Sequence, residues 1–252
     1  MKFALIQLEN SHDIENNIKL IMAYMDDHPE VDYFMTPEST ITGYSSDKVR
    51  SMTLEDPRLL KLLNYCSNKN KHLFVGCNIL DQDDYIAYLY IHKDIKAYYK
   101  SHLGLKEKQV FKPGDELAVF DTGKVKVGIA ICIESHIPDI AQTLALRGAD
   151  IILMPFASSS ICGKRKDMWL KYLPARAYDN SVFVLAANQT GGKFTGGLMV
   201  FDYKGHVLIS HHDEEPCTKI IDLDIKARRE RVKKEKTNYL KRRRPNLYGK
   251  EY

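Results

Sequence analysis

The chain has 252 residues, of which 44% are hydrophobic and 28% charged, and its formal net charge is +4. That composition excludes disordered and fibrous classes, and no apolar run approaches the roughly 20 residues a spanning helix needs, so no membrane partner is expected. Five cysteines, Cys66, Cys77, Cys132, Cys162 and Cys217, lack metal-ligand spacing, and the start of the chain turns polar too soon for a signal peptide, which together predict a cytoplasmic protein without a metal site.

In chain order, short apolar strands alternate with amphipathic helices. Phe3 to Leu8 reads as a buried strand, and Ile14 to Met25 as a helix with apolar residues at 14, 18, 21, 22 and 25. Val31 to Met35 is a second strand that ends at Thr36-Pro37-Glu38. A helix over Leu59 to Cys66 and a strand over Leu73 to Ile79 follow, then a hairpin over 85–99 that turns at Lys93-Asp94. Val125 to Ile131 is a strand, Pro138 to Leu146 a helix and Asp150 to Pro155 a strand. Helix 166–179 leads to strand Val182 to Ala187, and Leu198 to Asp202, Val207 to Ser210 and Lys219 to Leu223 close the series. The pattern predicts one α/β layered domain over 1–252. Its last part, 226–252, is a basic helix and arm carrying 12 Lys/Arg against 3 Glu, a net of +9, which leaves −5 for the rest. No second basic stripe or stacking motif accompanies that run, so no nucleic-acid partner is expected.

Three positions carry the chemistry. Cys132 stands where the strand Gly128-Ile129-Ala130-Ile131 runs into a helix opening at Pro138. Such an elbow exposes a thiol and brings backbone N–H groups near it; taken alone, a cysteine there is more often a small packed residue. Glu38 follows an apolar strand and is placed to act as a base. Lys100, in Tyr98-Tyr99-Lys100-Ser101-His102-Leu103, ends another strand and could bind a developing oxyanion. Thiol attack on an amide needs a base, a donor to the leaving amine and positive charge at the oxyanion.

In this combination the chain resembles the nitrilase superfamily of carbon–nitrogen hydrolases, whose Glu, Lys and Cys follow in that order at strand ends. The resemblance rests on Pro37-Glu38 with Thr42-Gly43-Tyr44, on Tyr99-Lys100-Ser101-His102-Leu103, and on Gly128 to Glu134 with Pro138. It continues through Arg147-Gly148-Ala149-Asp150-Ile151-Ile152, Ala175-Arg176-Ala177-Tyr178-Asp179-Asn180 and the arm Arg243-Arg244-Pro245-Asn246-Leu247-Tyr248. Glu107, in Glu107-Lys108-Gln109-Val110-Phe111-Lys112-Pro113-Gly114, matches a further acidic position of that family.

The resemblance implies a four-layer α-β-β-α sandwich and at least a homodimer acting on a small-molecule amide without a cofactor. It implies that Cys132 attacks the carbonyl, Glu38 moves protons, Lys100 and the Ile133 backbone N–H hold the oxyanion, and Glu107 orients Lys100 or the substrate. Amide or N-carbamoyl substrates are expected ahead of nitriles. Ser135 and His136 replace the paired arginines of the branch acting on N-carbamoyl-D-amino acids, which argues against that branch. Tyr44, His136, Phe156, Ser158, Trp169 and Phe194 are candidate pocket residues by adjacency to the motifs, with ordinary packing as their alternative.

Other readings are weaker. A Ser–Ser–Lys amidase, suggested by Ser158-Ser159-Ser160 and Lys164, lacks flanking glycines and an upstream lysine. A metal site from His211, His212 and Cys217 would need adjacent strand residues to face the same way. The glycines at Thr122-Gly123-Lys124 and Gly191-Gly192-Lys193 lack the phosphate-loop spacing. A catalytically silent scaffold or acyl-transferring relative remains the alternative function.

Overall fold

The computed structural model describes residues 1–9, 11–45, 49–159, 164–234, 236 and 238–248. Two six-stranded sheets form the centre. The first runs β14 (Cys217–Asp222), β1 (Lys2–Gln7), β2 (Tyr33–Met35), β3 (His72–Asp81), β4 (Asp83–Ile91) and β5 (Ile95–Tyr99). The second runs β13 (Val207–His211), β12 (Leu198–Phe201), β9 (Phe183–Asn188), β8 (Ile151–Phe156), β7 (Lys126–Ile129) and β6 (Val119–Asp121). β10 (Thr190–Gly191) and β11 (Phe194–Thr195) form a small separate ribbon.

Alternation along β1 shows why the layers stack. Phe3 and Leu5 join the core between the sheets, with Tyr33, Phe74 and Tyr88 on one side and Val127, Ile151 and Leu185 on the other. Ala4 and Ile6 face outward onto α1 (Ile14–Asp26) and α2 (Pro57–Asn68), through Ile18, Ile21, Leu59 and Leu62. The outer face of the second sheet is covered in the same way by α3 (Pro138–Leu146) and α4 (Lys164–Asn180), where Leu144, Trp169 and Leu173 meet Ile152, Met154 and Val184. A strand buried on both faces is apolar at almost every position, which is why these strands read as runs. The result is the expected α-β-β-α sandwich.

Helix starts follow local chemistry. The Asp13 carboxylate accepts the Asn16 N–H at 3.1 Å, and Asp56 caps α2 ahead of Pro57. Differences from expectation are few: the strand expected from Val31 begins at Tyr33, and β6, only three residues long, gave no periodic signal.

The basic end of the chain begins as a structural clamp. α5 (Ile225–Lys233) sends the Arg228 Nη1 to Asp150 Oδ1 at 2.8 Å and the Arg229 Nη2 to Asp150 Oδ2 at 2.7 Å. Asp150 and Arg228 are buried, and Arg228 also donates to the Ala149 and Ser181 carbonyls. Beyond α5, the Tyr239 hydroxyl meets that of Tyr178 on α4 at 3.1 Å. The arm past Tyr248 lies outside the described residues, and among the described residues no helix is long and apolar enough to cross a membrane.

Candidate active site

The three chemical residues arrive from both sheets. Glu38 follows β2 in a turn where Ser39 takes a positive φ of 50°. Gly76 on β3 lies beneath that turn; a Cβ there would collide with the Ser39 nitrogen and the Pro37 carbonyl. The Glu38 carbonyl accepts from Gln189 Nε2, which fastens this turn to the chain beyond β9.

Lys100 immediately follows β5. Its N–H bonds the Ile86 carbonyl at 2.8 Å, and its carbonyl accepts from Gly114 N at 2.9 Å. A side chain at 114 would run into the Tyr99 backbone, so the glycine closing the Glu107–Gly114 stretch permits this approach. Glu107 opens a 3-10 turn, Glu107–Gln109, that packs back on the same loop.

Cys132 begins the 3-10 turn Cys132–His136 after β7, with φ of 50°. Left-handed backbone is costly for a residue with a Cβ and is held here by its surroundings. Ile133 is the second residue of that turn, where helical amides lack an intrahelical acceptor.

These elements bring Glu38, Lys100 and Glu107 into one buried cluster. Lys100 Nζ lies 2.7 Å from Glu38 Oε1 and 2.8 Å from Glu107 Oε1. Glu38 Oε2 accepts the Ala157 N–H at 3.0 Å, and Glu107 accepts from Tyr44 Oη at 2.9 Å and Gly104 N at 2.7 Å. An ammonium has three donors; two are committed to carboxylates.

A cavity of about 470 Å³ opens on this cluster, lined by Lys100, Glu107, Cys132, Ile133, Ala157 and Ser158, with Tyr44, Leu105, Lys106 and Lys193 toward its mouth. A second groove of similar size, about 510 Å³ between Ser101 and Pro113, has neither cysteine nor acidic residue on its walls. The first is therefore the candidate site.

Burial sets the charge states. It raises the Glu38 carboxyl to about 7, Lys100 opposing and Glu107 reinforcing the shift. Burial alone would depress Lys100, but the negative charge of Glu38 first, with Cys132 and Glu107 after it, carries it well above its ordinary value. Cys132 is pushed up to about 12 by burial and then by Glu38, against the pull of Lys100. The resting site thus holds a neutral thiol beside a carboxyl poised near neutrality and a permanent cation.

The candidate pocket residues separate. Tyr44 and Ser158 line the cavity. Phe194 stands beside it in the neighbouring groove, edge-on to Tyr44 at 6.3 Å. Phe156 and Trp169 are core residues behind the wall, 4.8 Å apart, and not part of it. His136 is exposed and lies against Tyr172 at 4.3 Å, away from the cavity wall. His211 and His212 diverge as expected: His211 Nε2 approaches Cys217 Sγ at 3.1 Å, while His212 faces Trp169, and no group of metal-binding side chains forms among the described residues. Ser160 and Cys162 lie outside the described residues.

Two supporting residues had no role in the sequence reading. Glu134, fully buried, accepts the Ile131 N–H at 2.6 Å, the Tyr98 hydroxyl at 2.7 Å, and the Ser101 N–H and hydroxyl at 2.8 and 2.7 Å. It ties the cysteine turn to the loop that carries Lys100. Its signal was an acid two residues past the cysteine in an apolar stretch. Asn188 accepts the Ser158 N–H at 2.8 Å and donates to the Gly196 carbonyl at 2.9 Å, shaping the far wall.

The sequence model of the carbon–nitrogen hydrolase family matches residues 2–232. A nitrilase from Pyrococcus abyssi is 32% identical over 165 residues, which is 61% of this chain and 58% of that protein, under two thirds of its length. The ω-amidase of Saccharomyces cerevisiae is 25% identical over 240 residues, 82% of each chain. An amidase from Nesterenkonia sp. AN1 superposes with a TM-score of 0.83 at 25% identity, covering 98% of both chains.

Proposed function

This chain belongs to the carbon–nitrogen hydrolase family, and from that premise we propose that it is a cysteine-dependent amidase acting on a small amide or N-carbamoyl compound. The observation that carries the reading is the Lys100 ammonium, held between Glu38 and Glu107 on the wall of the cavity that also exposes Cys132.

Because the Cys132 thiol is neutral at rest, the sulfur attacks the amide carbonyl as its proton passes to Glu38. The S–C bond forms and the carbonyl oxygen takes the negative charge. Lys100 uses its remaining donor, with the Ile133 N–H, to hold that oxygen. The C–N bond then breaks as protonated Glu38 gives its proton to the departing nitrogen, which leaves as ammonia or an amine. Water attacks the resulting thioester, losing a proton to Glu38, and collapse expels the acid and restores the thiol. Glu107 fixes the ammonium through the same oxygen that Tyr44 engages.

Ammonia or amine release from a panel of simple amides, ω-amides, N-carbamoyl amines and nitriles tests the reading, with Cys132→Ala as control. Release from one subgroup that disappears in the variant supports it. Silence across the panel with Cys132 inert to iodoacetamide would overturn it. The same reading carries a homodimer, supported by the exposed Met168, Leu170 and Tyr178 on α4; a monomer mass by light scattering would contradict that part.

A further inference from the structure

Arg165, on the first turn of α4, has no role in the chemistry above, yet it is 7% exposed and stands directly behind the cavity wall. Its Nη2 donates to the hydroxyl of Ser158, which lines the cavity, and its guanidinium lies 5.8 Å from the Trp169 ring. Its Nε is buried without a hydrogen-bond partner. Among the described residues no carboxylate forms an ion pair with it. A buried cation without a counter-ion is expensive.

Two other arginines in the molecule show what that edge is suited to hold. Arg58 places Nε and Nη2 on the two oxygens of Asp56 at 2.9 and 2.7 Å. Arg229 does the same to Asp150 at 3.1 and 2.7 Å. Each is the side-on fork that matches a carboxylate in plane. Arg165 presents the same pair of nitrogens, with one hydroxyl on Nη2 and nothing on Nε.

Two further cations reach the cavity. Lys106 and Lys193 stand at the mouth, Lys193 over the rings of Tyr44 and Phe194 at 5.7 and 5.4 Å. The acids at the site, Glu38 and Glu107, are both already on Lys100. A substrate ending in an amine would find no free carboxylate on this cavity among the described residues; one ending in an acid would find Ser158 on the wall with the Arg165 guanidinium, its buried Nε unpartnered, directly behind it.

We propose that the substrate is the ω-amide of a carboxylic acid, with Arg165 and Ser158 receiving its carboxylate and Lys193 and Lys106 drawing it to the cavity mouth. This inference rests on the amidase reading for its chemistry, but its binding half can be tested without turnover.

The monoamides of succinic and glutaric acid are compared with butanamide and pentanamide, which match them in length but lack the charge. Wild-type kcat/KM is expected to favour the acids by about 100-fold or more, since a site built for a charged group rejects the analogue lacking it. Arg165→Met should collapse that ratio to within about threefold, and Arg165→Lys should restore part of it. Lys193→Gln should lower the ratio by a few-fold and weaken its dependence on salt. Equal losses on acid and neutral amides would assign Arg165 a structural role and overturn the proposal, as would a wild-type enzyme indifferent to the carboxylate.

In parallel, succinate and glutarate should slow alkylation of Cys132 by iodoacetamide in the wild type and not in Arg165→Met. Protection without turnover of any amide would sink the hydrolase reading and keep the carboxylate site. Turnover without carboxylate preference or protection would do the reverse.

Discussion

Two three-residue charge clusters, each with its shared central group buried, invite comparison. Around Lys100, two carboxylates share one cation at the wall of a cavity. Around Asp150, two guanidinium groups share one carboxylate with further bonds to backbone carbonyls. The second cluster is satisfied and joins α5 to the start of β8. The first carries one more acid than base, and burial leaves Glu38 raised to about 7. Opposite charge balances thus give a fastener in one place and a carboxyl poised near neutrality in the other, and the difference lies in which sign is in excess and in access to the cavity.

The sharpest way to break this contrast is to remove each centre. Lys100→Met should cost kcat on the order of 10²–10³, the scale of losing one oxyanion donor; steady-state amide hydrolysis by a variant with wild-type circular dichroism checks it. Asp150→Ala leaves two arginines without their shared acid and should cost about 3–5 kcal/mol of stability, the usual penalty for breaking a buried pair. Its kcat per folded molecule should stay near wild type, so denaturant unfolding and activity should diverge.

A subtler test moves the proton balance. Glu38 acts as a base only when ionised, so kcat/KM should rise with pH through about 7. Glu107 raises the Glu38 carboxyl, so Glu107→Gln should shift that limb to lower pH even as the rate falls. Because the shift of Glu38 is upward, its contribution to stability is full below its ordinary carboxylate range and declines as pH rises toward 7. The site therefore acquires its base over the same pH window in which the fold gives up stability there. The smallest effect belongs to Arg229→Ala: this side chain is half exposed, and solvent should hold the loss to about 1 kcal/mol or less by thermal melting.

Much of this was legible in the sequence for a physical reason. Strands buried on both faces must be apolar throughout, and helices on the outside must be apolar every third or fourth residue, so the alternation was visible. Glu38, Lys100 and Cys132 were legible because each follows a core strand, where a polar or reactive residue stands out against an apolar run. Arg165 was not, because Gly163-Lys164-Arg165-Lys166-Asp167 has the composition of a solvated turn. Nothing local marks Arg165 as a cation that turns inward. Phe156 and Trp169 misled in the opposite sense: proximity to a motif along the chain put them a layer behind the cavity.

Glu134 has one more consequence. Glu38 and Lys100 follow strands of one sheet and Cys132 a strand of the other, and this carboxylate spans the seam between them. A slide of one sheet over the other by a fraction of a strand spacing would part Cys132 from Glu38 while leaving each sheet's own ladder intact. On the proposed mechanism, activity should therefore fail on warming before secondary structure does; amide hydrolysis and far-UV circular dichroism followed through one melt check it.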